Sequence, residues 1–295
     1  MDANPFLIAD SLATVFVHTT YVSFDDSSMA PPLQESDLTG DRNETQYRLP
    51  LESAEAVAAA LSGRLPRSHL AGRAVGPSDA RQFVTTAYFD TPSRALYHSG
   101  LQGAESLRLR ARQYSGLTPS PSLWLEIKHK RGIRSAKRRI RIPDREVLWF
   151  FGTGRITEEM IHIRQRTYGA ETARILQEMA AICERYREPL QTDSVVHFRR
   201  NAWQDLKAGL RVTLDLDLAF FPPTPDLWTR THPLIRERMG VPLHRESRGV
   251  VEVKTRDDPP GWLTTLLSGA GAEARSYSKF EEASRAVHGS DGMGR

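Results

Sequence analysis

The stretch "SLRLRARQY" (106–114) alternates with a period of two. Leu107, Leu109 and Ala111 fall on one side, and Arg108, Arg110 and Arg112 fall on the other. As a strand it has one apolar face and one face carrying three guanidinium groups roughly 7 Å apart. Like charges in such a row repel unless something anionic lies between them. Either these arginines face water from an open sheet, or they line an enclosed space that takes a polyanion.

The same division recurs along the chain. In "LWLEIKHK" (123–130) Glu126, Lys128 and Lys130 share a face with Trp124, and in "AKRRIRIP" (136–143) Lys137, Arg139 and Arg141 share one. In "LRVTLDLDLAF" (210–220) Arg211, Thr213, Asp215 and Asp217 oppose Val212, Leu214, Leu216 and Leu218. In "GVVEVKTR" (249–256) Glu252, Lys254 and Arg256 oppose Val251 and Val253, and in "ETQYRLP" (44–50) Glu44, Gln46 and Arg48 align. A half-solvated sheet explains any one of these strands. Surface sheets, however, mix signs so that cross-strand partners attract. Here the faces of 106–114 and 136–142 are almost purely basic, and acids come singly at Glu44, Glu126 and Glu252. A barrel with its charged faces inward relieves the repulsion if the bore holds phosphate oxygens and a divalent cation.

Gly, Pro and Ser clusters separate the strands, as between antiparallel neighbours. Helical patterns cover 51–61, 144–187 and 260–287, and these are expected to pack outside the barrel. The order of strands, helical insertion, strands and helices predicts an α+β protein with a mostly antiparallel sheet. Residues 1–42, which include "DDSSMAPPLQESDLTGD" (25–41), read as a partly disordered appendage, and 289–295 as a disordered tail. Trp149, Phe150 and Phe151 are expected to anchor a helix to the barrel wall.

Composition narrows the function. The chain has 295 residues, 39% hydrophobic and 26% charged, with a net charge of +4, which fits a soluble globular protein. Aromatic residues do not interleave with the basic strands as stacking platforms do, so no nucleic-acid partner is expected. Cys183, the single cysteine, excludes a disulfide framework and a cysteine-based zinc site, and helical spacing puts it in the core. The opening run has no basic leader and is interrupted by Asp10 and His18, so a cytoplasmic location is expected. His129 and His197 lack metal-ligand spacing. Asp90 in "YFDT" (88–91) is expected to cap a turn or the next helix. Asp215 and Asp217 either balance the arginines or act in chemistry; Arg108, Lys130 and Arg141 belong at the mouths of a bore or in solvent.

The ordered set "ETQYRLP", "YFDT", "RARQY", "LEIKHK", "KRRIRI", "RRNAWQ", "LRVTLDLDL", "VVEVK" and "YSKF" resembles the vacuolar transporter chaperone (VTC) domain. That domain is the polyphosphate polymerase branch of the triphosphate tunnel metalloenzymes. The resemblance runs over 43–288 and implies a closed, eight-stranded antiparallel tunnel with helices packed outside. It also implies ATP or another triphosphate and inorganic polyphosphate as partners, with Mn²⁺ or Mg²⁺ as cofactor. By their positions in these motifs Arg110, Arg112, Lys128, Lys137, Arg200 and Lys279 are implied to be catalytic. Arg48, Arg139, Arg211, Lys254 and Tyr114 are implied to bind substrate, and Glu252, Glu44 and Glu126 to hold the metal. The superfamily's first strand reads Glu-x-Glu-x-Lys, or Glu-x-Lys in the polymerase branch, whereas here Gln46 and Arg48 follow Glu44. A tunnel triphosphatase and a non-catalytic polyphosphate or nucleotide sensor remain open as alternatives. The membrane-spanning and inositol-phosphate-sensing parts of eukaryotic members are not found in the sequence, so export of a polymer would fall to a separate membrane partner. Oligomeric state is not legible.

Overall fold

A computed structural model describes residues 43–68, 82–103, 105–115, 122–131, 134–143, 154–229 and 233–289. The appendage 1–42, the tail from 290 onward and the aromatic run Trp149–Phe151 lie outside the described residues. Ten strands form one antiparallel sheet: β1 (Asn43–Pro50), β2 (Gln82–Asp90), β3 (Glu105–Ser115), β4 (Ser122–Arg131), β5 (Arg134–Pro143), β6 (Gln191–Asp205), β7 (Leu210–Phe221), β8 (His244–Arg245), β9 (Arg248–Thr255) and β10 (Glu273–Ala274). Their order is β10-β1-β9-β7-β6-β2-β3-β4-β5, with β8 beside β7. The helices are α1 (Ala54–Ser62), α2 (Ala95–Leu101), α3 (Glu158–Tyr168), α4 (Ala170–Tyr186), α5 (Gly261–Gly269) and α6 (Lys279–His288).

The sheet curls strongly. β1 and β4 are six places apart in this order, about 29 Å across a flat sheet. Yet the Lys128 ammonium on β4 lies 3.7 Å from the Glu44 carboxylate on β1. The charged faces of the strands therefore turn toward one another. The expected closed tunnel of eight strands is corrected in two ways. Two strands of two residues each, β8 and β10, join the eight long ones, and among the described residues no ladder joins β5 to β1. The reason lies at the edge of β1. There β10 pairs with Tyr47 and Arg48, and the Arg275 N–H donates to the Gln46 carbonyl at 2.9 Å, taking backbone groups that a closing strand would use.

Apolar faces point outward and are covered. Leu49, Val212, Leu214, Val251 and Val253 pack with Val57 and Leu61 of α1 and Leu263 and Leu267 of α5. Leu109, Ala111, Leu125, Ile140 and Ile142 pack with Met160 of α3 and with Ile175, Leu176, Met179 and Cys183 of α4, so the expected core position of the cysteine is correct. Asp90 caps as expected: its carboxylate accepts from the N–H groups of Thr91, Leu96 and Tyr97 at 2.7–2.9 Å, fixing the start of α2.

In β7 strict alternation fails at Asp217. This residue has φ +58°, and the β6–β7 register shifts between His197 and Arg199. The extra residue is a β-bulge, and it exchanges the faces of the strand beyond it. Leu214 and Leu216 pack outward, but Leu218 and Phe220 join Val84, Tyr88, Val196 and Phe198 on the concave side. The concave face is therefore polar at one end and apolar at the other. Helix α6 buries Phe280 and Ala283 against that apolar end. This corrects the expectation that every helix packs outside: an apolar patch on the inner wall needs a cover, and α6 supplies it.

The bulge predicts an ordering of variants. Asp217→Val and Asp217→Gly both remove the 3.1 Å ion pair with Arg199, but only valine must hold a left-handed backbone. Urea unfolding should find the valine protein less stable than the glycine protein by about 1–2 kcal/mol. Equal stabilities would show that the bulge relaxes without strain.

Candidate active site

The basic strands converge as their alternation implied, and each cluster of cations is built around a carboxylate. The first centre is Glu126 on β4, whose side chain is 0% exposed. Arg110 lies 2.6 Å away and Arg112 3.9 Å away, both from β3, while Lys137 at 3.2 Å and Arg139 at 4.0 Å come from β5. Antiparallel pairing places Arg110 and Arg139 directly opposite Glu126 on its two neighbouring strands. Arg112 also donates to the Thr86 hydroxyl at 3.1 Å and the Tyr114 hydroxyl at 3.4 Å. Arg139 stacks over Trp124 at 4.1 Å. Burial pushes the Glu126 carboxyl pKa up, but Arg110, Arg112 and Lys137 outweigh it and hold the value well below the usual carboxylate range.

The second centre is Asp215 on β7, 1% exposed. Arg200 of β6 grips both of its oxygens at 2.5 Å, and Lys279 at the start of α6 reaches one at 2.8 Å. Burial opposes ionisation of Asp215, and Arg200 and Lys279 overcome it. Of the two roles left open for Asp215, balancing the cations is the one its contacts fill.

The third cluster holds Glu252 of β9 and Glu44 of β1. Lys254 bridges them, 3.0 Å from Glu252 and 3.3 Å from Glu44, with Lys128 on the far side of Glu44. The Gln46 amide donates to Glu252 at 3.4 Å. Burial would raise the Glu252 carboxyl, but Lys254, Arg200, Lys279 and Lys128 keep it well below its ordinary value. The Lys128 ammonium is pulled down to about 8, chiefly by burial and against the attraction of Glu44 and Glu252.

Most of the expected site residues share the concave face; two differ in how they are used. Arg48 is tied to Glu246 at 2.5 Å and stacks 4.7 Å above the Tyr277 ring, so it braces the C-terminal segment. Arg211 stands across from Lys254 on neighbouring strands, four pairs along from Asp215. Thr86 and Glu246 were missed. A threonine on a β-rich strand carries no signal, and Glu246 lies in a non-periodic segment after a two-residue strand.

Among the described residues no group of three or more His, Cys, Asp or Glu side chains is placed to hold a metal. Glu252 and Glu44 still suit a hard divalent ion of the Mg²⁺ or Mn²⁺ type, which takes one or two carboxylates and completes its shell with water and phosphate oxygens. Glu126, also implied to hold the metal, is engaged by Arg110, Arg112, Lys137 and Arg139.

The inner wall of this curled antiparallel sheet carries cations from β3, β4, β5, β6 and β9 and from α6. The model of the VTC domain family matches residues 41–288, and the chain belongs to that family. No curated protein matches it by sequence. Among solved structures it is similar to HpAC1 of Hippeastrum, a candidate adenylyl cyclase described as having a dominant triphosphatase activity: 14% identity, TM-score 0.47, covering 83% of this chain and 95% of that one. A candidate adenylate cyclase of Bacillus halodurans has 10% identity and TM-score 0.46, covering 82% and 98%. The PH1819 protein of Pyrococcus horikoshii has 11% identity and TM-score 0.40, covering 81% and 97%.

Removing the charge of Glu126 should be costly. Glu126→Gln leaves four cations uncompensated and is expected to lose about 3–5 kcal/mol of stability at neutral pH by denaturant unfolding. The wild-type contribution is full above the unfolded carboxyl's pKa of 4.5 and is lost as pH falls toward the lower folded value. The variant should therefore show a shallower loss of stability below about pH 4.5. Identical acid profiles would remove Glu126 from the account.

Proposed function

We propose that this chain is a metal-dependent polyphosphate polymerase, which transfers the γ-phosphoryl group of ATP to a growing polyphosphate chain on its basic inner wall. One observation carries the reading. Arg110, Arg112, Lys128, Lys137, Arg200 and Lys279, from four strands and a helix, face one space whose carboxylates are too few to neutralise them.

Phosphoryl transfer asks for positioning and charge stabilisation more than for covalent help from the protein. The triphosphate would lie between the Glu126 and Asp215 clusters, its oxygens exchanging with those carboxylates for Arg110, Arg112, Lys137 and Arg200. Arginine suits this role because its planar fork binds two phosphate oxygens at once. Lys279 and Arg211 would hold the acceptor end. A terminal polyphosphate oxygen attacks the γ-phosphorus in line. Its bond forms as the bond from that phosphorus to the β–γ bridging oxygen breaks, and ADP leaves with the electron pair. A divalent ion held by Glu252, with Glu44 beside it, would supply neutralisation of the charge developing on the transferred group.

A second reading is favoured by α6. The helix covers one end of the inner wall with Phe280 and Ala283, which closes that end to a long chain. A tunnel triphosphatase, using water as acceptor, needs no exit there. No helix among the described residues is long and apolar enough to cross a membrane.

The purified chain, given ATP and Mn²⁺ or Mg²⁺, should make a phosphate polymer visible on a gel, and Glu252→Ala should lower the rate by at least about 100-fold. Polymer persisting in Glu252→Ala would end the metal role of that residue. Orthophosphate without polymer would decide for the triphosphatase, and tight binding without turnover for a sensor.

A further inference from the structure

Gln46 is the position where the first strand departs from the family pattern, and its contacts reach the far end of the chain. Its side-chain oxygen accepts from the Tyr277 N–H at 2.8 Å, its side-chain nitrogen donates to Glu252 at 3.4 Å, and its own carbonyl accepts from the Arg275 N–H at 2.9 Å. Tyr277 lies two residues before Lys279, and between them Ser278 caps α6 by accepting from the Glu281 N–H. Arg48, on the same face of β1, stacks on the Tyr277 ring from the neighbouring position. β1 therefore holds the connection from β10 to α6 through three contacts, one at Arg275 and two at Tyr277.

We propose that Gln46 is a positioning residue: it clamps the 275–278 segment so that Lys279 enters the inner wall at Asp215, and it orients the Glu252 carboxylate at the same time. The chemistry singles out an amide. Only a side chain with both an acceptor and a donor can take the Tyr277 N–H and give to a carboxylate. A glutamate here would keep the first bond and set a second negative charge beside Glu252, while a lysine would lose the first bond. α6 itself is docked by Phe280 and Ala283 in the inner apolar cluster, by Arg94 on Ser284 and by Asp193 on Ser284 and His288, so what Gln46 adds is the path of the segment that leads into Lys279.

The test uses the full chain, with two readouts in metal-free buffer: hydrogen exchange at the Tyr277 amide and calorimetric binding of inorganic tripolyphosphate. The second readout rests on the triphosphate reading given above; the first does not. Gln46→Met should speed Tyr277 exchange about tenfold and weaken tripolyphosphate binding about tenfold, the loss expected for one buried hydrogen bond. Gln46→Glu should keep Tyr277 exchange within about twofold of wild type and still weaken tripolyphosphate binding, through its charge. The proposal is overturned if Gln46→Met leaves Tyr277 exchange unchanged, or if Gln46→Glu loses protection as fully as Gln46→Met does. Wild-type protein that fails to bind tripolyphosphate overturns the triphosphate reading instead, and the exchange readout then decides the clamp by the same criterion.

Discussion

Repulsion between like charges on one face of a sheet is the constraint that shapes this protein. Arg110, Arg112, Lys137 and Arg139 crowd into one region of three adjacent strands, and the arrangement stands because a single buried carboxylate, Glu126, touches all four. Asp215 does the same for Arg200 and Lys279, and Glu252 with Glu44 for Lys254 and Lys128. A buried ion pair is a weak source of stability on its own, because desolvation offsets much of the attraction. Here its role is to keep cations ionised and in place. On the proposed function, an arriving polyanion would replace these internal partners with its own oxygens and meet side chains already oriented.

Curling follows from the same balance combined with the hydrophobic effect. The strands turn most of their apolar residues outward, where α1, α5, α3 and α4 cover them in two separate clusters. The charged sides are left to face each other across a narrow space, close enough for Lys128 of β4 to reach Glu44 of β1. Closure of the backbone ladder is not required for that approach. The edge of β1 is used by β10 instead, and this ties the C-terminal helix to the first strand.

Much of the fold was legible because a period of two is a strong signal when one face is buried. The long strands, α5 and α6 fall where alternation and turn residues placed them, and the shared faces of β3, β4 and β5 were read from residue parity alone. Parity stopped being valid at Asp217, where a left-handed residue inserts a bulge and moves Leu218 and Phe220 inward. An aspartate in a run of alternating polar residues carries no mark of that. The error then propagated: with no apolar patch foreseen on the inner wall, α6 had no reason to lie there.

The sequence by itself determined which residues are charged, which share a strand face, and that the acids are too few for the bases. Only tertiary structure decided which acid serves which base. Glu246 was paired with Arg48, Asp215 with Lys279, and Gln46 with Tyr277 across 231 positions of chain. Such pairings depend on strand order, on the register between strands and on one bulge. All of these arise from contacts between segments remote in sequence, where a local pattern carries no information.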